Sequence, residues 1–216
     1  MKKYFNLYFI LGLSFFLVFI LTIILLNFDK AIIASNGYEV GMSHINNIVN
    51  YEYKKWADKI SDVLFYMTFI IPLLAVILGI YQLIKEKSLK KVDSIVIIFG
   101  VFLVLAIATW LLFDHVIKIN IRPTHEIEGS FPSTHVFLTT FFVLACHGYL
   151  CYKYDNKLAK YLSLVIAIVV IIIMTIFRVV AGVHYLTDVF GGAILGITFY
   201  FLTFGIFKWF INKQSE

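Results

Sequence analysis

Residues 161–177 read YLSLVIAIVVIIIMTIF and are followed directly by Arg178. One helical crossing of a bilayer needs roughly 20 mostly apolar residues, so this run predicts a membrane-spanning helix. Five other runs have the same character, at residues 4–28, 64–84, 94–113, 135–152 and 186–207. The sequence therefore predicts an all-α, polytopic membrane protein built as a bundle of six transmembrane helices.

The composition supports this prediction. Of the 216 residues, 61% are hydrophobic and 14% are charged, whereas a soluble globular domain carries about a quarter charged residues. Six spans leave no room for a second domain, so we expect residues 1–216 to form a single integral membrane domain. The net charge of +5 could suggest nucleic acid, but the basic residues cluster at the ends of the apolar runs. We therefore expect the bilayer as a partner and no nucleic acid, and the oligomeric state stays open.

The lysines and arginines are unequally shared between the two ends of the predicted spans. Eleven belong to one end and seven to the other, and three of these seven, Lys118, Arg122 and Arg178, lie in or beside the polar groups described next. Because basic residues accumulate in short cytoplasmic loops, the richer end is predicted to be cytoplasmic. Both termini then lie in the cytoplasm, as expected of a multi-pass protein of the cytoplasmic membrane.

Three groups of polar residues stand at the ends of long apolar runs. The first is the Arg-Pro pair at 122–123, the second is PSTH at 132–135, and the third is Arg178 with His184 and Asp188. An ionisable residue in or beside a membrane span is costly, and is therefore a candidate for a functional site. The predicted orientation brings all three groups together at the extracytoplasmic surface.

The third group has the most restrictive spacing. His184 and Asp188 are four residues apart at the start of a predicted helix, so the carboxylate can accept a hydrogen bond from one imidazole nitrogen. The other nitrogen is then left as a nucleophile. Arg178 ends the preceding run, and its planar guanidinium suits phosphate oxygens. In isolation, the His-Asp pair would rather indicate a structural hydrogen bond between spans, and Arg178 could simply reach the lipid head groups.

The second group predicts an anion site. Pro132 interrupts the chain before a helix that Ser133 or Thr134 can cap, and the free N–H groups of the first turn can bind a phosphate. His135 lies in the same turn. Its imidazole can donate a proton to a leaving oxygen.

The first group is a predicted helix end. His115, Lys118 and Arg122 are spaced i, i+3 and i+7, so we expect them to line one face of the third helix until Pro123 ends it. Lys118 could instead pair with Asp114. The sequence contains no visible carboxylate cluster able to hold a metal, so neither a metal nor a cofactor is expected.

Taken in order, these motifs resemble those of the type 2 phosphatidic acid phosphatase (PAP2) family, the membrane branch of a superfamily that includes the vanadium haloperoxidases. The family pattern is K-x6-R-P, then P-S-G-H, then S-R-x5-H-x3-D. The chain has H-x6-R-P from His115, P-S-T-H from Pro132 and F-R-x5-H-x3-D from Phe177, within a motif-bearing core of about residues 94–207. Histidine and threonine thus replace the family's lysine and glycine, and phenylalanine replaces the serine before the arginine of the third motif.

The resemblance implies a metal-independent lipid phosphatase, that is, a phosphoric monoester or diphosphate hydrolase. His184 would attack phosphorus to form a phosphohistidine, Asp188 would orient it, and His135 would protonate the departing group. The phosphate would be bound by the other motif residues: Arg122, Arg178, Ser133 and Thr134, with Lys118 or His115 in place of the family lysine.

The sequence leaves the substrate open. Similar proteins act on undecaprenyl diphosphate, phosphatidylglycerophosphate, phosphatidate and lipid A phosphates. We favour undecaprenyl diphosphate, because recycling that carrier is a common role of small proteins of this type. Two alternatives are a lipid phosphotransferase that uses the same histidine and a non-catalytic binder or transporter of lipid phosphates.

The remaining features predict structure rather than chemistry. The longest connection, residues 29–63, carries Trp56 among charged residues. We expect it to hold a short amphipathic helix at the interface that covers the outer surface or guides a head group. The polar loop residues 125–128 are expected to be solvated. Gly192 and Gly196 are four residues apart in the sixth run, which predicts a close helix contact.

Overall fold

The structure, a computed structural model, describes residues 7–124 and 127–214. The helices of this part of the chain are α1 (Leu7–Leu25), α2 (Ser43–Asn46), α3 (Lys55–Thr68), α4 (Ile70–Glu86), α5 (Ser94–Leu111), α6 (Thr134–Lys153), α7 (Lys157–Val180) and α8 (Leu186–Gln214). Strands β1 (Ala31–Ile32) and β2 (Glu39–Val40) pair antiparallel. Among the described residues, six helical segments are long and apolar enough to cross a membrane. The predicted six-helix bundle is confirmed.

The second span begins earlier than predicted. Helices α3 and α4 follow each other over Lys55–Glu86, with only Phe69 between them. Pro72 has no N–H to bond the carbonyl of Thr68 four residues earlier, which accounts for the break. The amphipathic helix expected around Trp56 is present as α3, but it is longer than expected, because it continues to Thr68 as the first part of this long span.

Helix α8 is the central element of the bundle and packs against both α1 and α6. Its glycines permit the close approach to α6. A Cβ atom on Gly192 would lie 2.5 Å from the carbonyl oxygen of Ser133, and one on Gly196 would lie 2.7 Å from that of Phe137. The close helix contact predicted from these two glycines is confirmed, and it holds the start of α6 directly against α8.

The two ends of the bundle carry different polar groups. At one end, the Asp93 carboxylate before α5 accepts hydrogen bonds from Lys153 Nζ at 3.4 Å and Gln82 Nε2 at 3.0 Å. The PSTH and His184 segments lie at the opposite ends of their helices. The spans therefore alternate in direction as expected. The assignment of the Asp93 end to the cytoplasm stays a prediction from charge.

Candidate active site

The three motifs meet at one cavity at the end of the bundle opposite Asp93. The cavity has a volume of about 140 Å³. Four of the predicted site residues line it, namely Arg122, Thr134, His135 and His184. Much of the remaining wall is aromatic and consists of Phe65, Trp110, Phe113 and Phe131. A guanidinium and two imidazoles thus border a small space with largely apolar walls.

His184 stands in the short link between α7 and α8 and is 3% exposed. Its Nδ1 lies 2.9 Å from the backbone carbonyl oxygen of Ser130. That carbonyl can only accept, so Nδ1 carries the proton and the lone pair is on Nε2. Burial, together with the nearby positive charges of Arg178 and Arg122, lowers the pKa of His184 well below its usual value. The imidazole is therefore neutral at pH 7 and keeps a nucleophilic nitrogen.

Asp188 does not make the hydrogen bond predicted for it. Its Oδ2 is 3.7 Å from Nδ1 of His184 and accepts a hydrogen bond from the backbone N–H of Tyr185 at 2.9 Å. Its Oδ1 accepts a hydrogen bond from Nδ2 of Asn120 at 3.1 Å. The fully buried carboxylate thus holds the first turn of α8 and the loop after α5 together, because a buried charge needs several donors. The carbonyl of Ser130 takes the orienting position at His184.

The anion site predicted before α6 is smaller than expected. Ser133 occupies the position just before the helix, and its backbone N–H donates to the carbonyl oxygen of Asp188 at 2.9 Å. The N–H groups of Thr134 and His135 begin the helix and have no acceptor within it. Thr134 lines the cavity. These two amides, rather than three, are available to an anion.

Arg178 is bound to carboxylates of α3 and does not line the cavity, although it was predicted to bind phosphate. The side chain is 2% exposed, and Nη1 donates to Asp58 Oδ1 at 2.8 Å and Ser61 Oγ at 3.1 Å. The same nitrogen is 3.4 Å from Oδ1 of Asp62, which in turn lies 3.1 Å from Nε2 of His135. A buried guanidinium requires such compensation.

The two α3 carboxylates were missed by the sequence interpretation. Asp58 and Asp62 lie four residues apart on a helix, so they share one face. That spacing was a usable signal. It was lost because the whole segment was assigned to a surface connection.

Arg122 lies on a loop and not on α5, the helix of the third span. The π-helical turn Leu112–Val116 ends that helix, and Ile121 pairs with Gly129 in an isolated antiparallel bridge. Nη2 of Arg122 is 3.1 Å from Oε2 of Glu128. Its carbonyl accepts a hydrogen bond from Nδ2 of Asn36 at 2.6 Å. A short hairpin-like loop thus carries this guanidinium to the cavity.

The expectation that His115 and Lys118 share a helix face with Arg122 is wrong, because the helix ends before Lys118. The side chain of His115 is 68% exposed, with Nε2 3.8 Å from Oδ2 of Asp114. Lys118 is also exposed. Neither lines the cavity in the described part of the chain. Of the polar loop, His125 and Glu126 lie outside the described residues, and Glu128 is paired with Arg122.

The connection between α1 and α3 positions the His184 loop. Oδ1 of Asn46 accepts a hydrogen bond from the backbone N–H of Thr187 at 3.1 Å, and Nδ2 of Asn46 donates one to the hydroxyl of Thr187 at 3.0 Å. The hydroxyl of Tyr51 accepts the N–H of Leu186 at 3.3 Å. Gly182 has a φ of +71°, and a Cβ there would meet the carbonyl of Glu52 at 2.4 Å. The connection is therefore a scaffold for the site as well as a cover. Isolated asparagines in a loop provide no sequence signal for this role.

The fold and site together define a class, namely six-span helical membrane proteins with imidazole and guanidinium groups around a small cavity at one end. Residues 109–212 match the sequence model of the PAP2 superfamily. This part of the chain is similar in sequence to that superfamily. The resemblance predicted from the three motifs is confirmed.

Two curated proteins are similar in sequence. Phosphatidylglycerophosphatase B of Bacillus subtilis (strain 168) is 34% identical over 116 residues, which cover 49% of this chain and 57% of that protein. Bacitracin transport permease protein BcrC of Bacillus licheniformis is 40% identical over 80 residues, which cover 37% of this chain and 34% of that protein. The matched segments thus span less than two thirds of either relative.

A solved structure has the same fold. It is the crystal structure described as that of the first transmembrane PAP2 type phosphatidylglycerolphosphate phosphatase from Bacillus subtilis. The TM-score is 0.58, the sequence identity is 22%, and the match covers 94% of this chain and 96% of that one. The likeness extends the fold assignment to nearly the whole chain.

Proposed function

We propose that this protein is a membrane lipid phosphatase that releases phosphate from a lipid phosphate or diphosphate at the extracytoplasmic face, through a phosphohistidine on His184. One observation carries the proposal: Arg122, His135 and His184 come from three separate segments and border one cavity. The name of phosphatidylglycerophosphatase B and the superfamily match support a phosphatase in general. The positive-inside asymmetry supports the outward orientation.

In the first step, Nε2 of His184 attacks phosphorus. The P–N bond forms as the P–O bond to the leaving group breaks, and His135 gives its proton to the departing oxygen. The hydrogen bond from Nδ1 of His184 to Ser130 keeps the ring oriented during the attack.

In the second step, water attacks the phosphohistidine. His135 accepts a proton from the water, the P–N bond breaks, and inorganic phosphate leaves. Arg122 and the amides of Thr134 and His135 stabilise charge on the phosphoryl oxygens in both steps. Arg178 is bound to Asp58 at 2.8 Å. In this proposal it therefore contributes a positive charge near the site, and Arg122 makes the direct contacts with the phosphate.

Four lipids are candidate substrates in this proposal. The sequence interpretation favours undecaprenyl diphosphate, and the name of the Bacillus subtilis relative favours phosphatidylglycerophosphate. Phosphatidate and lipid A phosphates complete the set. The apolar outer surfaces of the helices suit any long lipid tail, so the head group at the cavity must decide among them.

The test is a phosphate-release assay on the purified protein with these four lipids, comparing the wild type with His184→Ala. His147→Ala is the matched control. This histidine lies on α6 about three helical turns from the cavity, and its Nδ1 is 2.8 Å from the hydroxyl oxygen of Ser163 on α7. We expect release from at least one lipid, loss of release in His184→Ala, and little change in His147→Ala. Turnover that survives His184→Ala for every lipid would contradict the proposal.

The same assay separates the alternatives. Release into water with no added acceptor supports hydrolysis, and dependence on an acceptor lipid supports a phosphotransferase. Binding of lipid phosphate by both the wild type and His184→Ala, with no release by either, supports a binder or transporter. The word permease in the name of the second relative makes that outcome worth measuring.

A further inference from the structure

The carboxylate of Asp62 bridges two motif residues. Its Oδ1 lies 3.1 Å from Nε2 of His135 and 3.4 Å from Nη1 of Arg178. The two contacts cross 73 and 116 residues of sequence. Asp62 itself is not among the described residues that line the cavity. It therefore touches the site only through these two side chains.

The surroundings restrict the ring of His135. Phe65, one turn beyond Asp62 on α3, packs on the imidazole with a centroid distance of 4.2 Å and an interplanar angle of 35°. The His135 side chain is 22% exposed. A ring held by an aromatic face and a carboxylate has one preferred orientation. Since an ionised carboxylate only accepts, the bonded Nε2 carries a proton.

We propose that Asp62 is a positioning residue for His135, which it holds with Nε2–H bonded to the carboxylate and Nδ1 presented for proton transfer. The inference rests on the proposed phosphatase function. The cycle starts with His135 as an imidazolium that carries protons on both Nε2 and Nδ1, and when the leaving group departs the Nδ1 proton moves to the leaving oxygen. When water attacks, a proton returns from water to Nδ1, and the negative charge of Asp62 stabilises the imidazolium that forms. No other reactant is required.

Asp58 provides a matched control on the same helix. It lies 2.8 Å from Arg178, closer than Asp62, and is one helical turn away. The structure gives it no hydrogen bond to His135 among the described residues. Asp58→Asn and Asp62→Asn remove the same charge from neighbouring turns. The difference between them isolates the contact with His135 from the contact with Arg178.

The experiment measures kcat and KM for phosphate release from a lipid that the wild type hydrolyses. The variants are Asp62→Asn, Asp62→Glu, Asp58→Asn, His135→Ala and the two double variants Asp62→Asn/His135→Ala and Asp58→Asn/His135→Ala. We expect Asp62→Asn to lower kcat about 100-fold with little change in KM, and Asp62→Glu to regain part of it. The double variant with Asp62→Asn should be no slower than His135→Ala, because groups that act as a unit are not additive. By contrast, the effects of Asp58→Asn and His135→Ala on log kcat should be additive.

Each outcome decides the proposal. It is overturned if Asp62→Asn keeps the kcat of the wild type, if its effect persists in full without His135, or if Asp58→Asn gives the same pattern. A gain of activity in Asp62→Asn would also overturn it, because the carboxylate would then hinder His135 rather than assist it. Size-exclusion profiles and thermal unfolding in detergent identify a variant that fails to fold, and Asp62→Glu then carries the test. Absence of release by the wild type would remove the proposed function itself and the inference with it.

Discussion

Nδ1 of His184 lies 2.9 Å from the carbonyl oxygen of Ser130, closer than the 3.7 Å that separates it from the carboxylate of Asp188. A backbone carbonyl cannot change its protonation state, so it imposes one tautomer on the ring. The loop that carries Ser130 also forms part of the cavity wall through Gly129 and Phe131. The orientation of His184 and the shape of the cavity are thus determined by the same short segment.

The first prediction is that the phosphoryl group is attached to Nε2 of His184 and not to Nδ1. The protein is rapidly quenched in alkali after mixing with a phosphorus-labelled lipid substrate, since phosphohistidine is labile to acid. We expect the Nε2 isomer by NMR or isomer-specific antibody. His184→Gln should carry no label and turn over about 10⁴-fold slower or worse. Labelling on Nδ1 would contradict the geometry.

The second prediction concerns the cations. Arg122→Gln should lower kcat/KM for lipid phosphate release by about 10²–10³-fold, because it removes a donor from the cavity. His115→Gln and Lys118→Gln should each change kcat/KM less than about 3-fold, since both side chains are exposed outside it. An effect of Lys118→Gln as large as that of Arg122→Gln would show that this lysine reaches the substrate.

The third prediction tests the contact between α6 and α8. Gly192→Ala should lower the free energy of unfolding by about 1–3 kcal/mol and reduce phosphate release, because its Cβ would press on the carbonyl of Ser133. Gly100→Ala is the control. A Cβ there meets nothing within 4 Å, so the change should be neutral or stabilise by up to about 1 kcal/mol. Equal effects of the two variants in thermal unfolding would contradict the prediction.

The fourth prediction is a loss of stability in acid. Burial and the neighbouring guanidinium groups hold the pKa of His184 well below its usual 6.5. The unfolded chain then binds a proton that the folded protein resists, so the free energy of unfolding falls as the pH drops below about 6.5. Melting temperatures in detergent from pH 8 to pH 5 should fall more steeply for the wild type than for His184→Gln. Parallel curves would rule out this contribution.

The fifth prediction is the orientation of the protein in the cell. Single cysteines at His44 and at Asp155, in a background with Cys146→Ala and Cys151→Ala, mark the two ends of the bundle. Both positions are strongly exposed, at 88% for the His44 side chain and 103% for that of Asp155. A membrane-impermeant maleimide added to intact cells should label the cysteine at 44 and not the one at 155. The reverse pattern would place the cavity toward the cytoplasm.

Much of the architecture was accessible from local patterns. The six spans follow from apolar runs whose length matches the bilayer, and the close contact of Gly192 and Gly196 follows from their spacing. The boundaries were less accurate where a span starts with charged residues, as α3 does with Asp58 and Asp62. A hydropathy pattern cannot show that such residues continue a helix, because their charges are compensated by partners distant in sequence.

The amino-acid sequence alone determined the membrane bundle, its resemblance to one superfamily and the three segments that carry His184, His135 and Arg122, because each depends on local periodicity or on motif spacing. The folded chain added the pairings between segments. It bonded His184 to Ser130 and Asp188 to Asn120, and it bound Arg178 and His135 to the carboxylates of α3. These contacts join residues 54 to 120 positions apart, and distances of that kind are set by helix packing, which no local pattern encodes.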